Sequence, residues 1–142
     1  MKKDFVYLAS ASPRRSELLR QIGVPFRVRP AAIAEEQDPG EVPEAYVLRL
    51  AAAKAGVVWS ALGSGEERPV LAADTAVVLD DQVLGKPTDA AHAQAMLAAL
   101  SGREHRVLTA IALKTSSRVA ARLQPVNEVL ASKSRLVPRA RN

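Results

Sequence analysis

Along this chain the spacing of apolar residues switches between a period of two and a period of about three and a half, and the switches mark the elements. Phe5 to Leu8 forms a short apolar run that predicts a strand. Ser12 followed by Pro13 predicts a helix start: serine accepts from an orphan N–H, and proline takes a first-turn position that needs no donor. Leu18, Leu19 and Ile22 give that helix its expected buried side, and Gly23 stops it. In Phe26 to Val28 apolar residues alternate with Arg27 and Arg29, the pattern of a second strand.

Residues 31–42 have loop composition and carry Glu35, Glu36, Asp38 and Glu41. Pro43 opens a second predicted helix to about Leu62, with Val47, Leu50, Ala51 and Val58 as its apolar stripe and Lys54 inside it. After a polar connection from Gly63 to Pro69, Val70 to Ala73 and Ala76 to Leu79 predict buried strand segments, interrupted by Asp74-Thr75. Asp80-Asp81 predicts a turn, Val83-Leu84 a short return strand, and Gly85-Lys86-Pro87 a tight exit. Thr88 or Asp89 caps a third helix with Ala93, Met96, Leu97 and Leu100 as its core stripe, and Ser101-Gly102 ends it. His105 to Leu113 and Val119 to Val129 predict a closing hairpin.

Composition narrows the class. The chain has 142 residues, 48% of them hydrophobic, with no apolar run long enough to span a bilayer, so one globular domain is expected. Zero cysteines exclude disulfides, thiolate catalysis and Cys-based zinc sites, in keeping with a cytoplasmic location. The formal charge of +5 is concentrated beyond Leu130, where Lys133, Arg135, Arg139 and Arg141 stand without an acid. The rest is nearly neutral and has few aromatics for stacking bases, so no specific nucleic-acid partner is expected. His92 and His105 show no metal-ligand spacing.

Two features carry chemistry. Ser10, Ser12, Arg14, Arg15 and the free N–H groups of the first helical turn converge at one junction. Arginines there oppose the helix dipole, which points to an external anion such as a phosphate. Asp74 sits between apolar runs, where burial is costly unless the carboxylate has a task. Lys54 either snorkels outward or points its ammonium into a cleft, and Lys86 lies beside the same sheet edge. An acidic residue of the 31–42 loop, folded back over the junction, could hold magnesium or manganese.

Ser10-Ala11-Ser12-Pro13-Arg14-Arg15-Ser16-Glu17-Leu18-Leu19, Leu50-Ala51-Ala52-Ala53-Lys54-Ala55, Ala73-Asp74-Thr75, Gly85-Lys86-Pro87 and Leu100-Ser101-Gly102 resemble, in this order, the Maf family, also called septum-formation inhibitors. The resemblance implies an α/β fold similar to the inosine triphosphate pyrophosphatases, an elongated twisted mixed sheet flanked by helices. It also implies metal-dependent hydrolysis of a nucleoside triphosphate to monophosphate and pyrophosphate, with Mg2+ or Mn2+. Carried over by residue, Asp74 matches the family's proton acceptor, and Lys54 and Lys86 join it as catalytic candidates. Ser10, Arg14, Arg15 and Thr75 match substrate-binding positions. Glu35, with Glu36 as register alternative, matches the loop carboxylate that shares the metal with Asp74.

Pro-Arg-Arg with Asp-Thr resembles the branch acting on dTTP and UTP. The partner expected is thus a nucleoside triphosphate, without a membrane; a homodimer is compatible with the family. Family members continue into a second lobe with an Asp-Lys-Ala-Gly-x-Tyr-x-Ile-Gln motif, and this sequence has nothing like it. Residues 1–129 are therefore expected to form a Maf-like domain whose second lobe is incomplete. Residues 130–142 are expected to be an irregular basic tail from truncation or a shifted frame, with impaired turnover. The alternative is a non-enzymatic module in cell division that binds protein or nucleic acid through the tail or an exposed edge.

Overall fold

The computed structural model describes residues 4–85, 89–116 and 119–123. The elements in chain order are β1 (Val6–Leu8), α1 (Pro13–Gln21), β2 (Phe26–Val28), α2 (Pro43–Ser60), β3 (Val70–Leu79), β4 (Gln82–Leu84), α3 (Ala90–Leu100), β5 (Arg106–Lys114) and β6 (Val119–Leu123). The strands form one mixed six-stranded sheet ordered β2-β1-β3-β5-β6, with β4 paired to the far end of β3. β1 runs parallel to β2 and β3; the β3–β4, β3–β5 and β5–β6 pairs are antiparallel. Among the described residues no helix is long and apolar enough to cross a membrane.

α2 supplies one side of the main core. Its stripe of Val47, Leu50, Ala51, Ala55 and Val58 is buried, and it meets Ala72, Ala76 and Val78 of β3 and Ala110 and Ala112 of β5. The small alanines on both strands let an 18-residue helix lie close to the sheet, and truncating Leu50, fully buried, would cost about 2–5 kcal/mol. At the β3–β4 hairpin Asp80 and Asp81 both take positive φ (54° and 62°), the left-handed pair that a two-residue hairpin needs.

Three expectations need correction. β3 is one unbroken strand through Asp74 and Thr75, because both pair with β5 in register, opposite Ala110 and Thr109. The carboxylate stays in the ladder because its charge is met by a lysine from α2. On α1 only Leu19 of the three apolar residues is buried: Leu18 is 52% and Ile22 71% exposed. This nine-residue helix touches the sheet over a single turn, where Leu18 and Leu19 face Leu8, Leu71, Ala73 and Ile111. α3 has no buried residue: Met96 is half-buried and Leu97 exposed, so its stripe is not core in the described structure. Periodicity shows which face of a helix is apolar but not what covers it. Asp89, accepting from the His92 N–H at 2.8 Å, is the cap of α3.

Candidate active site

The site begins as a gap in strand pairing. On one side β3 is bonded to β5 from Val70 to Val78. On its other side β1 reaches only to Leu71, and β4 begins at Val77. Residues 72–76 therefore have no strand partner there among the described residues, which leaves a notch beyond the carboxyl end of β1, the position at which open α/β sheets place ligands. A cleft of about 180 Å³ occupies it, lined by Glu35, Tyr46, Asp74, Thr75, Val83 and Gly85 among others. Strand alternation sends Asp74 to the α2 face and Thr75 to the opposite face, so the notch is reached from both layers.

From the α2 side, Lys54 extends its ammonium to Asp74 Oδ1 at 2.9 Å and to Glu35 Oε2 at 3.3 Å. Asp74 is buried and Lys54 nearly so, while Glu35 is a third exposed at the mouth. One cation thus binds two carboxylates brought together from a loop and a strand. Tyr46, one turn into α2, donates its hydroxyl to the Glu35 carbonyl at 3.0 Å and so fixes the loop. Burial, then the charges of Asp74 and Glu35, hold the Tyr46 phenol above its ordinary pKa, so it remains a donor. Glu36 is exposed, and its backbone carbonyl accepts from Arg49.

From the α1 side, Ser12 caps the helix by accepting from the Arg15 N–H at 3.3 Å, and its own N–H donates to the buried Ser10 Oγ at 3.1 Å. Arg15 reaches into the notch, donating to the Ala73 carbonyl at 3.3 Å and to Thr75 Oγ1 at 3.0 Å. Thr75 also shares a hydrogen bond with Thr109 at 3.0 Å. Arg14 is exposed and makes no such contact among the described residues. Lys86 lies outside the described residues; Gly85, just before it, lines the cleft.

The structure accordingly joins Asp74, Lys54, Glu35, Arg15 and Thr75 about one notch, with Ser10 and Ser12 organising the turn beside it. Sequence reasoning passed over Tyr46 and Thr109. Tyr46 faces the core side like its neighbour Val47, and Thr109 sits in an ordinary alternating strand, so neither signalled a role. A divalent cation fits the donor chemistry in a limited way. Among the described residues no three His, Cys, Asp or Glu side chains gather around one point. Glu35 and Asp74 still present hard carboxylate oxygens on one cleft, and Asp74 Oδ2 has no partner among the described residues. Two carboxylates, with water and substrate phosphates, are what Mg2+ ordinarily uses.

A family model described as Maf-like protein matches residues 5–135. The chain belongs to the Maf family. Within it, the chain is 54% identical over 108 residues to the dTTP/UTP pyrophosphatase of Pectobacterium atrosepticum, covering 76% of this chain and 54% of that relative. It is 52% identical over 110 residues to the dTTP/UTP pyrophosphatase of Yersinia pestis, with the same coverage. A nucleoside triphosphate pyrophosphatase of Xylella fastidiosa is 47% identical over 124 residues, which is 87% of this chain and 66% of that relative. The chain spans about half the length of the dTTP/UTP pyrophosphatases it matches.

Proposed function

We propose that this Maf family chain carries the catalytic half of a nucleoside triphosphate pyrophosphatase acting on dTTP or UTP. The observation that carries the reading is the Lys54 bridge between Asp74 and Glu35 in a notch that Arg15 enters from the other layer. The activities for which its Maf relatives are named favour it over a regulatory module that binds protein or nucleic acid.

In this reading the triphosphate lies across the notch, with its phosphates toward Arg15 and the first-turn N–H groups of α1. Asp74 accepts a proton from the attacking water as the oxygen bonds to the α-phosphorus. The bond from that phosphorus to the bridging oxygen breaks, and pyrophosphate leaves with the electron pair. Lys54 orients Asp74 through their hydrogen bond, and it offsets charge gathering on the phosphates. Arg14, exposed at the helix start, and Lys86 add positive charge for the same polyanion. A divalent metal held by Glu35 and Asp74 would polarise the phosphoryl oxygens. Thr75 orients Arg15 and faces the substrate as the specificity position.

The test is a nucleotide panel with magnesium or manganese in which monophosphate plus pyrophosphate is separated from diphosphate plus orthophosphate. UTP and dTTP should give monophosphate and pyrophosphate. Asp74→Asn should lower that rate by about 10²–10⁴, the usual worth of a general base, with nucleotide binding retained. Diphosphate products, or a rate unaffected by Asp74→Asn, would refute the reading.

A further inference from the structure

A second cleft, of about 460 Å³, lies where β1, β2 and the segment leading into β3 begin, at the end of the sheet remote from the notch. Phe5, Pro25, Phe26, Arg27, Glu66 and Arg68 are among its walls. Arg68 stands six residues before Asp74 on the same extended run, so the two sites are roughly 20 Å apart at strand rise.

The charges in this cleft do not balance locally. The Arg27 and Arg68 guanidiniums approach one Phe5 ring, at 4.2 Å and 5.3 Å from its centroid. Neither has a carboxylate partner among the described residues. Glu66, the nearest acid in the wall, is engaged elsewhere: one oxygen accepts from the Gly63 N–H and the other pairs with Arg29 at 3.5 Å. Arg68 gives one N–H to the Glu67 carbonyl at 3.1 Å. Its Nε is buried and has no acceptor, the sole such side-chain atom among the described residues. Charges along β2 can be explained as protection of a sheet edge. That account does not extend to a buried N–H left without an acceptor, a group that a water or an ion can satisfy.

We propose that this cleft binds a compact phosphoryl oxyanion between Arg27 and Arg68. Both guanidiniums already lie over the Phe5 ring, so the ligand is recognised by charge and by the planar fork of Arg68 rather than by stacking. Free phosphate or pyrophosphate and the phosphate of a small ester share this chemistry.

The experiment follows the Arg68 Nε–H resonance of the full chain while inorganic pyrophosphate, and in a parallel arm a nucleoside monophosphate, is added at constant ionic strength. The expected result is a saturable shift of that resonance. Arg27→Gln, an exposed substitution, should weaken it at least tenfold while leaving the nucleotide hydrolysis rate unchanged. Arg68→Lys, which keeps charge but loses the fork, should weaken pyrophosphate binding similarly, followed in that variant at the Arg27 Nε–H resonance. Tighter binding in the first arm identifies free anion as the ligand, and tighter binding in the second identifies an ester. An unmoved Arg68 signal, a shift reproduced by sodium chloride alone, or affinity unchanged in Arg27→Gln would overturn the proposal without touching the Asp74 site.

Discussion

Replacing Lys54 by methionine, which keeps an unbranched apolar stem and removes the ammonium, tests the central ion triad through stability rather than turnover. At an effective dielectric of 20, a unit charge pair at 2.9 Å or 3.3 Å is worth roughly 5–6 kcal/mol of Coulomb energy before desolvation. Taking the ions out of water offsets most of this. What decides the outcome is the state left behind: in Lys54→Met, Asp74 is a buried carboxylate with no cation. Removing one partner of such a pair costs about 3–5 kcal/mol, and the lower end is expected because the cleft admits water. Asp74→Asn should cost less, about 1–2 kcal/mol, because the amide oxygen still accepts from Lys54 and Glu35 still faces the ammonium. The double variant removes both charges and should be less destabilised than the sum by about 2 kcal/mol. Urea unfolding of the four proteins at neutral pH measures each value. If the changes add to within about 0.5 kcal/mol, the lysine and aspartate are not coupled, and the electrostatic account of Asp74 burial fails.

Tyr46→Phe removes the hydroxyl that binds the Glu35 carbonyl; a loss of about 1 kcal/mol in urea unfolding and a weaker magnesium dependence of hydrolysis are expected, and unchanged magnesium dependence would separate Tyr46 from Glu35. The same phenol should titrate above 10.0 in an alkaline absorbance titration, so its contribution to stability is intact below that pH and declines above it. Arg49 binds the Glu41 carboxylate at 2.7 Å and 2.9 Å and lowers its pKa to about 2. A depressed carboxylate stabilises above the unfolded value of 4.5 and loses that contribution as pH falls toward 2; Arg49→Gln should flatten this segment of a pH-dependent unfolding curve. Arg15→Lys keeps charge but cannot serve the Ala73 carbonyl and Thr75 together, so kcat/KM for UTP should drop at least tenfold, about 1.4 kcal/mol of transition-state stabilisation, with little change in unfolding.

Much of the architecture is local information. Pro13 after Ser12 fixes where α1 starts, the Val47-Leu50-Ala51-Val58 spacing fixes the buried side of α2, and Asp80-Asp81 between two apolar runs fixes a hairpin. A lysine in an apolar stripe and an aspartate within an apolar run were conspicuous for the same reason: each is costly to bury alone, so each implied a partner. Which partner was a tertiary matter. The strand register sends Asp74 toward α2, and the loop path brings Glu35 to Lys54 while Glu36 turns outward. Of two adjacent arginines, helix rotation carries Arg15 into the notch and leaves Arg14 exposed. The notch itself is invisible in sequence, because it exists only where β1 stops before β4 starts along a third strand. Local preferences depend on near neighbours and are written residue by residue. A gap between strands and the cover over a helix face depend on contacts among distant segments, and only the folded chain sets them.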